Sequence, residues 1–313
     1  MSKSRVPRLF LALALLAAAT AHAQLFRAYL TSDGNDANPC TLPQPCRLLP
    51  AALSAVADKG EIWMLDSANY NTGTVTIGKS VAILAIPGAV GSIVALNGGP
   101  AISITAADLV IALRNVVIGP VAGATPGTHG IHMTGASSLS VENSLIANLP
   151  VDGIKATGAG TVTVTGSTLR NIENRAINLT DGPSVTIAAS RFIDNFVSVS
   201  AFGSTTGTTA AAINDSTITG SAYCAVHANT SAATAIARIA VLRSTVERST
   251  YALCVTTNGP PGTTELSLGS SLVFNNDQSW YVLGGGTVLL SLGNNQVTGN
   301  NSATGTLTLL APQ

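Results

Sequence analysis

The chain has 313 residues, 46% of them hydrophobic and only 10% charged, with 15 Lys and Arg against 15 Asp and Glu. That apolar content excludes a disordered chain, and the even charge excludes the clustered basic stripe that a phosphate backbone demands, so nucleic acid is not an expected partner. Aromatic residues make up 4% of the chain, too few for a core built around large rings.

Residues 1–23 read as a signal peptide. Lys3, Arg5 and Arg8 precede the apolar run LFLALALLAAA, and AHA before Gln24 is a small-x-small cleavage site. The run is too short for a membrane span, which takes roughly 20 apolar residues, and no later run is longer. No Cys follows the cleavage site to carry a lipid. The expected mature protein is soluble, secreted or periplasmic, with no membrane span after signal removal. Its 12 Lys and Arg against 15 Asp and Glu give a formal charge of −3.

Residues 24–60 read as an N-terminal cap on a single domain that runs from 24 to 313. AYL is a first strand, and RLLPAALSAVADKG reads as a short amphipathic helix ending at Gly60. Such a helix can close the open end of a stack of strands. Between them, NPCTLPQPCR sets Cys40 and Cys46 in a proline-restricted loop, and an oxidising compartment makes this pair a disulfide. No second close Cys pair or nearby His completes a zinc site. GNDAN at 34–38 lacks the ligand count of a calcium loop and reads as a turn.

From residue 116 onward the sequence repeats. Val116, Ser144, Ser167, Ser190, Ser216, Ser244, Ser271 and Asn295 lie 28, 23, 23, 26, 28, 27 and 24 residues apart, a solenoid period. Two residues after each stand Ile118, Ile146, Leu169, Phe192, Ile218, Val246, Val273 and Val297. Three before stand Leu113, Val141, Val164, Ile187, Ile213, Val241, Leu268 and Leu292, and five before stand Ile111, Leu139, Val162, Val185, Ala211, Ile239, Leu266 and Leu290. The two-residue spacing of the last two columns is strand alternation. Four residues after the register, Asn148, Asn171, Asp194, Gly220, Asn275 and Gly299 suit sharp bends. A third strand follows in GIHM, GIKA, AINL, SVSA and AVHA. The expected fold is all-β, a right-handed parallel β-helix with three strands per coil, its hand taken from the general crossover preference.

The segment YLTSDGNDANPCTLPQPCRLLPAALSAVADKGEIWMLDSANYNTGTVTIGKSVAIL resembles the N-terminal region of secreted bacterial right-handed β-helix proteins of the pectin-lyase-like superfamily. The GNDANPC…PCR loop, the helix after it, GEI-x-x-LD and the KS-flanked strands carry the resemblance, over roughly residues 28–84. It implies the fold and leaves the activity open, since that superfamily includes lyases, hydrolases, tailspikes and adhesins. In its enzymes the resemblance implies a site on the outer face of the first strand stack. Lyases would place acidic Ca²⁺ ligands there beside a Lys or Arg base, and hydrolases a cluster of Asp.

That outer column holds Ala112, Ser140, Thr163, Thr186, Ala212, Ala240, Ser267 and Ser291. None is a general acid, a base or a strong metal ligand, so no catalytic residue, metal or cofactor is expected. The third strand stack instead should turn His132, Lys155, Asn178, Ser200 and His227 outward, with Asp152 and Arg175 near its edge. This ladder is the candidate binding site for a polysaccharide or cell-surface glycan. In HGIH, strand spacing sends His129 and His132 to opposite faces. Asp181, Asp194 and Asp215 read as turn residues. Trp280 and Tyr281 either stack on a sugar or cover the last coils. Cys224 and Cys254 fall eight and ten residues past the register on adjacent coils, too far for a bond, whereas aligning Tyr223 with Tyr251 brings them nearer; this pairing stays open. The reading is an exported, non-catalytic β-helix that binds a glycan or surface partner or serves as a spacer. The alternative is a polysaccharide lyase or hydrolase.

Overall fold

Aliphatic side chains at equivalent positions of successive coils stack into continuous columns. The computed structural model describes residues 24–310, so the segment read as a signal peptide lies outside the described residues. Strands of 12, 10 and 10 form three sheets, and each repeat contributes one strand to each, for example Thr161–Thr165, Thr168–Arg170 and Arg175–Thr180. Neighbouring strands pair in parallel with successive coils in register. The three apolar columns line the interior from Ile111 to Val273, every member at most 5% exposed. Each such side chain contributes roughly 1.5–3 kcal/mol on burial, and no coil could bury its own without neighbours above and below.

The last coil departs from the expected register. Leu266 pairs with Leu289 and Leu268 with Ser291, so Leu290 stands beside outward Ser267. Leu289 and Ser291 are buried, whereas Leu292 is 41% and Val297 37% exposed. Leu290 and Leu292 therefore leave their columns, and Ser291 points inward. The cause is one extra residue before the turn at Gly293, where φ is +78°; a one-residue slip exchanges the faces of a strand.

The N-terminal helix is shorter than expected. It spans Leu49–Ala55 and buries Leu49, Ala52 and Leu53, while Val56–Met64 is already a strand of the first sheet. Val56 pairs with Leu25, which draws the chain into the sheet before Gly60. Asp36 Oδ1 accepts the N–H groups of Arg47 and Leu48, both at 2.8 Å, so the acidic loop serves the start of the helix. Cys40 and Cys46 are disulfide-bonded.

Serines at the register position form an internal ladder. The N–H groups of Ser144, Ser167, Ser190, Ser216 and Ser244 each donate to the serine Oγ one coil on, at 3.1–3.3 Å. Ser271 donates to Asn295 Oδ1. These bonds satisfy backbone donors at a corner where strand pairing lapses. The bend after the second strand takes left-handed backbone at Asn148, Asn171, Asp194, Gly220, Asn275 and Gly299, as expected, and also at Arg248.

Candidate functional site

Every coil bends within its third strand, and the bend decides which side chains share the outer face. Two consecutive positions turn inward there. Ala176, Ser198, Ala225 and Ala252 are fully buried, as are their followers Ile177, Val199, Val226 and Leu253. In the two coils before them the first of these positions is glycine. A Cβ on Gly130 would come 2.6 Å from the Gly153 carbonyl, and one on Gly153 would come 2.5 Å from the Ala176 carbonyl. Because two residues face in, residues three apart stand together outside. His129 and His132 therefore share one face, their ring centroids 5.0 Å apart, contrary to the expectation from strand alternation. Cys224 and Cys254 meet by the same geometry, a disulfide with Cα atoms 6.0 Å apart.

The structure places His132, Lys155, Asn178, Ser200 and His227 on one ladder, paired rung to rung, and the ladder continues into Cys254 and Tyr281. His132 and Lys155 are partly exposed, whereas Asn178, Ser200 and His227 are 8%, 2% and 8% exposed. The open part of the face thus lies at its first coils.

Those coils gather ionisable groups around Asp152. This carboxylate is 1% exposed. Its oxygens accept Asn178 Nδ2 at 3.0 Å and Asn174 Nδ2 at 3.2 Å, and His129 Nδ1 lies 3.4 Å away. Burial pulls His129 below its ordinary pKa; the Asp152 charge opposes this, and His132 and Lys155 add to it. His132 is likewise lowered, first by burial and then by Lys155. Burial therefore favours the neutral form of both imidazoles. Arg175 donates from Nη1 to Asn174 Oδ1, while its buried Nε has no partner.

The later coils carry aromatic rings. Phe196 stacks on Tyr223, Tyr223 meets Tyr251 edge-on, and Tyr251 packs against Tyr281, with centroids 5.3–5.6 Å apart. Together with Val197 the three tyrosines enclose the Cys224–Cys254 bond. The Tyr223 hydroxyl is held above its ordinary pKa by burial and then by Tyr251 and Tyr281, so the three phenols converge. His227 Nε2 lies 2.9 Å from Thr256 Oγ1, and burial, with the Arg175 charge, pushes its pKa down to about 4. An open depression of about 480 Å³ adjoins Phe196, lined also by Asn148, Asn171, Glu173 and Asp194. No single sequence column marks the aromatic row, because its members occupy different positions within their coils.

On the first sheet the small outer column pairs from Ala112 to Ser267 as expected. Its flanks carry Glu142, paired with Arg114 at 2.9 Å, and Glu265, 3.8 Å from Arg238, while the same column holds Glu61 two coils before Ala112, paired with Arg27 at 2.7 Å. Glu61 also accepts Trp63 Nε1, and the Arg27 guanidinium lies 3.9 Å over the Trp63 ring. Among the described residues no group of three or more His, Cys, Asp or Glu is placed to hold a metal ion. Asp181 takes the N–H groups of Ser204 and Thr205, whereas Asp215 pairs with Arg243 at 2.8 Å. Trp280 packs against the core and donates to the Gly305 carbonyl, leaving Tyr281 as the outward ring.

A family model described as "Right handed beta helix region" matches residues 89–241. Among solved structures, the chain is similar to pectate lyase Pel9A, with a TM-score of 0.58 and 16% identity over 92% of this chain and 80% of that one. It is also similar to a rhamnogalacturonan lyase, with a TM-score of 0.55 and 12% identity over 90% of this chain and 87% of that one. XylC in complex with xylose gives a TM-score of 0.50 at 8% identity, over 90% and 67%. At these identities the likeness is one of fold. No curated protein matches the sequence.

Proposed function

Since the chain is a right-handed parallel β-helix with the fold of the pectin-lyase-like superfamily, we propose that the outer face of its third sheet binds an extended glycan and does not cleave it. The row of three phenols on successive coils, continuing the ladder of His132 and Lys155, carries this reading. From Lys155 to Tyr281 the ladder climbs five coils, about 24 Å at the usual spacing between strands. That is the length of an oligosaccharide rather than of one sugar. Tyrosines offer an apolar ring with a polar tip, and the partly exposed His and Lys add hydrogen-bonding groups, which suits a polyhydroxylated chain. Solved structures of the same fold include enzymes named for pectate and rhamnogalacturonan. The two disulfides fit a secreted or periplasmic protein acting at a cell surface.

Binding without cleavage is favoured by the state of the carboxylates. Asp152 is enclosed, and Glu61, Glu142 and Glu265 on the first sheet each lie within 3.8 Å of an arginine. Screening the protein against a polysaccharide panel, scoring retention and released products, tests the reading. Tyr223→Ala and Tyr251→Ala should each lower retention at least several-fold. Release of unsaturated or reducing ends by the wild type would overturn it. The lyase or hydrolase reading has one observation in its favour, the gathering of His129, His132 and Lys155 beside Asp152. It requires Lys155→Ala or His132→Ala to abolish whatever turnover the panel detects.

A further inference from the structure

We propose that the depression beside Phe196 is an amine subsite, taking a sugar unit that carries a free, protonated amino group. The inference rests on the glycan-binding reading and names the substrate class, an amino-sugar chain. The depression measures about 480 Å³, within the usual range for a small-ligand site. Asn148, Asn171 and Asp194 enter it from the bend after the second strand of three successive coils, each with left-handed backbone. Glu173, Phe196 and Ala222 enter it two residues past that bend, on the second, third and fourth coils. Four coils span about 14 Å, and all six of these residues are exposed. One ligand of two or three sugar units could therefore touch them together.

Three features of the lining select an ammonium. Phe196 remains 44% exposed although Tyr223 stacks on it with planes 15° apart, so an aromatic surface borders the depression and joins it to the row of phenols. Glu173 and Asp194 bring two carboxylates to the same space. Neither pairs with a cation or accepts a hydrogen bond among the described residues, whereas Glu61, Glu142, Asp215, Glu247 and Glu265 each lie within 3.8 Å of an arginine. The Asp194 carboxylate occupies room on the next coil that a Cβ on Gly220 would take. Asn171 Nδ2 donates to Asn148 Oδ1 at 3.0 Å, which leaves Asn171 Oδ1 and Asn148 Nδ2 for sugar hydroxyls. An ammonium gains charge-assisted hydrogen bonds from carboxylates and attraction from the face of an aromatic ring. A single exposed ion pair is worth little, so the discrimination needs both acids and the ring. A uronic acid would be repelled here, and an N-acetylated sugar would gain nothing from the two charges.

The test is calorimetric titration of the full chain at pH 6 and low salt with three probes: the β-1,4-linked glucosamine hexamer, its fully N-acetylated counterpart and hexalysine. The glucosamine hexamer should bind at least ten-fold more tightly than either of the others. Glu173→Gln and Asp194→Asn should each weaken it several-fold and leave the acetylated hexamer unchanged, whereas Phe196→Ala should weaken both sugars. Asparagine tolerates the left-handed backbone at position 194, and Glu173 is exposed, so these two variants should fold; thermal melts check that they do. Equal affinity for the two hexamers, unchanged affinity in Glu173→Gln and Asp194→Asn, or hexalysine binding as tightly as the sugar overturns the subsite. If the glucosamine hexamer fails while another polysaccharide is retained through Tyr223 and Tyr251, the subsite falls and glycan binding stands. Failure of the hexamers and of the whole polysaccharide panel removes both readings.

Discussion

Cys224 stands opposite Tyr251 on the neighbouring coil, yet its sulfur is bonded to Cys254, three residues farther along. The bond ties two rungs on the outside of the sheet, beneath Tyr223, Tyr251 and Tyr281. A cross-link across a sequence separation of 30 removes freedom from the unfolded chain, worth about 3–4 kcal/mol on the chain-entropy account. The double variant Cys224→Ser, Cys254→Ser should keep its β-sheet circular dichroism and lose stability of that order in urea titrations. A denaturation midpoint equal to the wild type's would mean that the bond contributes nothing to the stack.

The bend that makes this disulfide also marks where the sequence stops being legible. Columns such as Val164, Ile187 and Ile213 could be read directly, because a solenoid core demands an aliphatic residue at every coil. His129 and His132 could not be placed, because alternation assumes a straight strand and two consecutive residues face inward at the corner. The only local signs are Gly130 and Gly153, whose neighbours leave no room for a Cβ. Asp152, Asn174 and Asn178 form one network from three positions on two coils, so no single column betrays it. At Gly293 an added residue shifts Leu290 and Leu292 off the core, and a pattern counted backward from Asn295 cannot detect it.

Asp152→Asn tests the buried network. The amide presents a donor where Asn174 or Asn178 already donates, leaving a buried group unsatisfied at a cost of about 1–3 kcal/mol. The lost charge also bears on the imidazoles. Asp152 opposes the burial that lowers His129 and His132, so both should titrate at still lower pH in the variant. Side-chain ¹⁵N titrations of the two histidines check this, and unchanged midpoints would show that Asp152 does not pair with His129.

His227 should make the fold acid-sensitive. Its pKa is about 4 when folded, against roughly 6.5 for a free imidazole. Between those values the unfolded chain holds more protons, so stability is greatest at neutral pH and declines as pH falls towards 4. The loss by pH 4.5 amounts to about 2–3 kcal/mol from this one side chain. Acids held below their ordinary pKa, such as Asp66 and Asp181, weaken the fold in the same direction in any variant. The informative quantity is therefore the difference between proteins. Urea midpoints at pH 7.5 and 4.5 should converge by that amount in His227→Gln, and parallel profiles would refute the assignment.

Ser190→Ala tests the internal ladder. The N–H of Ser167 donates to Ser190 Oγ, which in turn donates to the Ala188 carbonyl at 2.9 Å. Both serines are 1% exposed, so water cannot replace the lost acceptor without opening the corner. Removing the hydroxyl strands the Ser167 N–H and should cost about 1–3 kcal/mol. Thr163→Ala, one coil away on the exposed outer column, should change stability by less than about 0.5 kcal/mol. Amide exchange offers a local reading: protection at Ser167 should fall more than at Val162, whose own strand pairing is untouched. Equal stability of the two variants would show that the corner serines fill space without carrying the backbone bond.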